Sequence, residues 1–145
     1  MSDQLHDKIY RINCLTEDIN SLYHQAALKL GMSDSVLFVL YMLHISGDKC
    51  RLHDIYKLSG ISKQTINSAI RKLENEEIIY LEKHNGKSKI VCLTEKGTEY
   101  SLQTAARLAE AERRAFGNWS EEEIDLYVRL IEKNNASLRR EIEKL

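Results

Sequence analysis

The side chains best placed to do chemistry in this sequence do not make a catalytic set. Between Ser62 and Glu76 the chain reads SKQTINSAIRKLENE. On a helical wheel of about 100° per residue, Ile66, Ile70 and Leu73 fall on one side with Ala69 beside them. Gln64, Asn67, Ser68, Arg71 and Asn75 fall opposite, with Thr65 and Lys72 at the edge. That outer face offers amides, hydroxyls and cations and no carboxylate. It suits the edges of base pairs in the DNA major groove, where Arg pairs with guanine and Asn or Gln with adenine. An ordinary solvated helix face is the competing explanation. A second group follows in HNGKSK, where Lys87 and Lys89 have no acid between them. Such lysines either contact phosphate or a minor groove, or shield an edge strand from aggregation.

Other chemistries are poorly supported. His6, His24, His44, His53 and His84 are scattered and give no metal-ligand spacing, so no metal or cofactor is expected. There is no glycine-rich phosphate loop, catalytic triad or paired-carboxylate motif, which argues against an enzyme. Cys14, Cys50 and Cys92 are too few and too far apart for a disulfide framework or zinc ribbon. Reduced thiols and a cytoplasmic location are expected. The longest apolar run, VLFVLYML at residues 36–43, is far short of the roughly 20 residues of a membrane span, and no signal peptide is recognisable.

These residues need elements to hold them. The chain has no proline, so long helices can run unbroken, and its six glycines fall between periodic segments. Residues 4–30 space Leu5, Ile9, Ile12, Ile19, Tyr23, Ala26 and Leu30 by threes and fours, predicting a helix of about seven turns. So long an apolar stripe exceeds what a chain of this size can cover and suggests a partner subunit. Ser33 or Ser35 caps a second, nearly all-apolar helix through VLFVLYMLHI. RLHDIYKLS follows, with Leu52, Ile55, Tyr56 and Leu58 to one side, and Gly60 ends it. Ser62 caps the helix described above, with Ile61 and Ile66 as a hydrophobic staple. Helix, glycine turn and capped helix make a helix-turn-helix pattern.

Two strand-like runs then flank Asn85-Gly86, the signal for a two-residue hairpin. Thr94 restarts a helix through residues 95–116, and Gly117-Asn118 stops it. The last helix opens on WSEEEI, with Ser120 and Glu123 as a capping box and Trp119 and Ile124 as a staple. Its apolar positions run on through Leu126, Leu130, Ile131, Leu138 and Ile142. The formal net charge of −1 conceals a bias: residues 48–96 carry 10 basic and 7 acidic side chains, and both flanks are net acidic.

The succession GISKQTINSAIRKLENEEII, a hairpin, then VCLTEKG resembles the MarR family of winged helix-turn-helix regulators. NWSEEEIDLYVRLIEKNNASL is similar to that family's closing dimerisation helix, so the resemblance covers essentially the whole chain. It implies a mainly α fold with a small β-hairpin wing. Residues 32–96 would form the winged helix-turn-helix, flanked by dimerisation helices at 1–31 and 97–145. It implies a homodimeric transcriptional repressor that binds double-stranded DNA at a pseudo-palindromic operator and is tuned by a small aromatic effector. By position, DNA contacts fall on Ser62, Lys63, Gln64, Thr65, Asn67, Ser68 and Arg71, with Lys87 and Lys89 on the wing. Tyr10, Tyr23, Tyr41 and His44 are candidate effector contacts, and each is equally explained as packing.

There are departures. The family wing usually carries Asp-x-Arg eight residues before the leucine of LTEKG, whereas this chain has Asn85-Gly86-Lys87. Lys87 keeps the cation without the planar fork of arginine. Some relatives sense peroxide through a first-helix cysteine, but Cys14 sits about a turn too late and has only Arg11 nearby, so an inert thiol is the default. The reading from another class is a winged module that binds protein and no DNA.

Overall fold

A computed structural model describes residues 2–145. Its elements are α1 (Ser2–Lys29), α2 (Asp34–Ile45), β1 (Lys49–Arg51), α3 (Leu52–Ser59), α4 (Lys63–Asn75), β2 (Ile79–His84), β3 (Ser88–Leu93), α5 (Glu95–Gln103), α6 (Ala105–Phe116) and α7 (Glu121–Ile142). The fold is mainly helical with a small antiparallel sheet, and no single described helix is long and apolar enough to cross a membrane. The chain divides into two compact units, one up to Ala109 and the other from Glu110 to Leu145.

The core of the first unit is built around α2. Val39, Leu40 and Leu43 are fully buried, because this helix is apolar on nearly every side. Ser33 caps it, its hydroxyl accepting the Val36 N–H at 3.3 Å. Ile66, Ala69, Ile70 and Leu73 of α4 pack into the same core, with Ile55 from α3 and Val91 from β3. Leu58, read from the sequence as part of α3's apolar side, is instead exposed. α1 meets α2 at 90°. It buries Ala27 and leaves Leu5, Ile9, Ile12, Leu15, Ile19 and Leu22 exposed.

Three local features differ from the sequence reading. First, β1 pairs with β3 from Lys49↔Cys92 to Arg51↔Ile90, making a third strand in the order β1-β3-β2. Three residues are too few to show a period of two. Second, the β2–β3 register ends at His84↔Ser88, so the hairpin loop holds three residues, Asn85, Gly86 and Lys87. Asn85 and Gly86 both take positive φ, 41° and 74°, as the sequence suggests, but Lys87 joins the turn rather than the strand. Third, the helix expected through residues 95–116 breaks at Thr104 (φ −128°, ψ −88°). The Thr104 hydroxyl donates to the Tyr100 carbonyl at 2.8 Å, and the Thr98 hydroxyl to the Thr94 carbonyl at 3.1 Å. Hydroxyls that bond back one turn compete with the helix ladder and bend it.

The LTEKG segment fixes the far end of α4. Leu93 is core. The Thr94 hydroxyl donates to the Glu77 carbonyl at 2.6 Å and accepts the Gly97 N–H at 2.9 Å, capping α5. The Lys96 ammonium donates to the Glu76 carbonyl at 2.8 Å, at the C-cap of α4. Gly97 lies so close to the chain after α4 that a β-carbon there would stand 1.9 Å from the Ile78 carbonyl oxygen. A glycine is therefore required by space, not by dihedral angle.

In the second unit, Ser120 and Glu123 form the expected capping box at the start of α7. Trp119 packs at a tilt of 60° against Phe116, with ring centroids 5.0 Å apart, and edge-on against Tyr127 at 5.6 Å. Asn118, Trp119, Glu123, Leu126, Tyr127 and Leu130 line a largely apolar hollow. No residue of α7 is buried, and Leu130, Ile131, Leu138 and Ile142 are exposed.

Candidate nucleic-acid interface

The interface candidate begins with how α4 is set in place. Gly60 closes α3 in the left-handed conformation (φ 62°), turning the chain into Ser62, whose hydroxyl accepts the Thr65 N–H at 3.2 Å. Ile61 is partly buried against the core and Ile66 completely so. With its apolar stripe buried, α4 must present Gln64, Thr65, Ser68, Arg71 and Lys72 outward, and all five are exposed.

The polar side chains on this helix are not equivalent. Ser62 and Thr65 bond each other at 2.8 Å, and the Ser68 hydroxyl donates to the Gln64 carbonyl at 3.1 Å. Asn67 is half-buried, and its amide oxygen accepts a short hydrogen bond from the Tyr56 hydroxyl. That bond orients the amide and uses one of the oxygen's two lone pairs, leaving the other lone pair and the NH2 group for a base edge. Lys63 lies over the same tyrosine ring, 5.0 Å from its centroid, a cation–π contact that ties α4 to α3. Among the described residues, Gln64, Arg71 and Asn75 have no side-chain hydrogen bond or ion pair. They are the side chains on this face ready to meet a partner. Glu74, Glu76 and Glu77 gather at the far end, where Lys72 approaches Glu76 at 3.9 Å.

The wing stands beside this helix. Lys87 in its loop and Lys89 on β3 are both exposed. Between the wing and the start of α3 lies a groove of about 550 Å³, lined by residues 51–53, Tyr56, Lys63, His84, Asn85 and residues 87–89. Four of the lining side chains are cations, two are imidazoles, and none is a carboxylate. The sequence reading did not select Arg51 or His53. The usable signal was the N-terminus of α3 itself: Arg51 is its N-cap residue and His53 lies in its first turn.

On the same face of the sheet as Arg51 and His84 by strand register, Lys49 pairs with Glu82 at 3.5 Å, and Glu82 raises the lysine's pKa. Burial raises the thiol pKa of both Cys50 and Cys92. Cys14, by contrast, is exposed on α1. All three thiols are free. No group of three or more possible metal ligands occurs among the described residues, and His24 pairs instead with Asp34 at 2.8 Å.

Tyr10 and Tyr23 lie on α1, and Tyr41 and His44 on α2. Tyr41 packs against the core and His44 is half-buried. Tyr10 and Tyr23 are separated by about 20 Å of helix at 1.5 Å per residue, so one small ring does not touch both in the same chain.

Residues 30–89 match the model of the MarR family. The resemblance read from the sequence is therefore shown, and it covers the segment from the end of α1 to the wing. No curated protein sequence matches the chain. The fold is similar to that of a MarR family regulator from Neisseria meningitidis, with 17% identity, 97% of each chain covered and a TM-score of 0.82. It is similar to MepR in the S. aureus MepR–DNA complex, with 21% identity over 89% of this chain and 96% of that one and a TM-score of 0.65. It is also similar to Bordetella bronchiseptica BpsR, whose DNA binding is regulated by 6-hydroxynicotinic acid, with 18% identity over 86% of this chain and 98% of that one and a TM-score of 0.64.

Proposed function

We propose that this chain is a sequence-specific, double-stranded-DNA-binding transcription regulator of the MarR type, acting in the cytoplasm as a homodimeric repressor rather than as an enzyme. The observation that carries the reading is the pairing of two surfaces in one unit. The carboxylate-free face of α4 holds Gln64 and Arg71 ready for base edges, and the cationic groove beside it is suited to phosphate. A structural relative solved on DNA supports the same partner.

Ser62, Lys63, Gln64, Thr65, Asn67, Ser68 and Arg71 form the reading element, and Lys87 and Lys89 the backbone element. Residues 32–96 are the DNA-binding part, and 1–31 and 97–145 the dimerising helices. The long exposed apolar stripes of α1 and α7 support that division. A two-fold dimer imposes inverted half-sites about one helical turn apart.

A small aromatic acid is the proposed effector, as in the BpsR relative. Its candidate contacts are Tyr10, Tyr23, Tyr41 and His44, with Tyr10 too far along α1 from Tyr23 for one small ring to touch both in the same chain. The test of the DNA reading is a salt titration. A dimer making roughly 8 phosphate contacts gives a slope of log affinity on log salt near −7. A slope near zero supports a protein-binding module instead.

A further inference from the structure

The groove between the start of α3 and the wing holds more positive charge than one phosphate can use. Arg51 and His53 enter it from the β1–α3 junction, Lys63 from the first turn of α4, and His84, Lys87 and Lys89 from the wing. Each phosphate of a DNA strand carries a single negative charge. Four cations and two imidazoles converge here from three separate elements. Glu82, two residues before His84 on β2, is held by Lys49 and is not among the lining residues. Asp54, beside His53 on α3, does not line the groove either. Tyr56, which lines it, is bonded to Asn67 and lies under Lys63. At about 550 Å³ the open groove has room for more than one phosphate group.

We propose that this groove holds two or more phosphate groups in series, with Arg51 and His53 as members of the site alongside the wing lysines. Consecutive phosphates of a DNA strand are one source, and in that role the proposal rests on the DNA-binding function above. A free polyphosphate anion is the other, and it would then occlude the duplex directly instead of acting through the helices that carry the effector tyrosines.

The experiment uses the full chain and two probes, inorganic triphosphate and a duplex, with NaCl holding ionic strength constant and sulfate as the comparison anion. Triphosphate is expected to bind saturably, one per subunit, at least about tenfold more tightly than sulfate, and to displace the duplex more than matched NaCl does. The double variant Arg51→Ala/His53→Ala is expected to weaken both probes about tenfold or more. Lys87→Glu, on an exposed loop tip where folding is not at stake, is expected to do the same and decides the matter alone if the double variant unfolds.

If the duplex is weakened but triphosphate binds no better than sulfate, the groove is a site for DNA phosphate only, and Arg51 and His53 remain its members. If triphosphate binds and no duplex does, the groove stands and the DNA reading falls. Triphosphate no tighter than sulfate, together with duplex affinity within about twofold of the parent in every variant, overturns the proposal.

Discussion

Arg71 and Lys87 carry similar charge yet should behave differently, because their surroundings differ. Arg71 is exposed on the outer face of a rigid, capped helix with no partner of its own among the described residues, so its planar fork can meet a guanine edge. Arg71→Ala should cost about 1–3 kcal/mol per contact and relax base preference at one position of each half-site. Lys87 sits in the three-residue loop, where a flexible point charge serves phosphate. Lys87→Ala should weaken all sequences alike and make the salt slope shallower by about 1 per subunit. Titrating preferred and scrambled duplexes at two salt concentrations separates the two, and the reverse pattern would mean the roles are exchanged. The cysteines give a second residue-scale expectation. A thiol-specific reagent should modify one thiol per native chain quickly, Cys14, while Cys50 and Cys92 react only on unfolding. Burial raises the folded pKa of those two above an unfolded thiol near about 8.5. Their contribution to stability is thus complete below that pH and is lost as pH rises through the folded values. Three fast-reacting thiols would contradict the buried placement.

At the scale of elements, the joint between α4 and α5 is as important as the reading helix. Gly97→Ala would place a methyl group 1.9 Å from a backbone oxygen that cannot swing away. The fold should lose about 3 kcal/mol, toward the upper end of overpacking costs, visible as a lowered midpoint in denaturant. An unchanged midpoint would show that the segment around Ile78 yields easily. This joint also marks the limit of what could be read in advance. The caps at Ser33, Ser62, Thr94 and Ser120 were legible because each is a local pattern within four residues. The buried stripe of α4 was legible because four apolar side chains recur at helical spacing. β1 was not, since a three-residue strand exists only through its pairing with β3. The break at Thr104 was not, because it depends on which hydroxyls are buried and turn back onto the helix. Arg51 and His53 escaped for the same reason: they join the wing across a groove, not along the chain. The Tyr56–Asn67 bond, which orients a side chain suited to adenine, is equally a fact of tertiary placement.

For the whole molecule, exposed apolar surface is the main unfinished business of the isolated chain. α1 leaves six leucine and isoleucine side chains exposed between Leu5 and Leu22, and α7 leaves Leu126, Leu130, Ile131, Leu138 and Ile142 exposed. Scattered exposed apolar residues are ordinary, but stripes of this length mark interfaces. The protein should sediment as a dimer at micromolar concentration, and removing residues 132–145 should yield aggregated or unfolded material. A compact, stable monomer would remove the basis for two-fold operator recognition. That recognition is the central claim, and it is tested most directly by selecting duplexes from a random pool with the purified full chain and sequencing those retained. Enrichment of an inverted repeat whose half-site centres lie about one helical turn apart is the expected result. A retained pool indistinguishable in sequence from the input would contradict it.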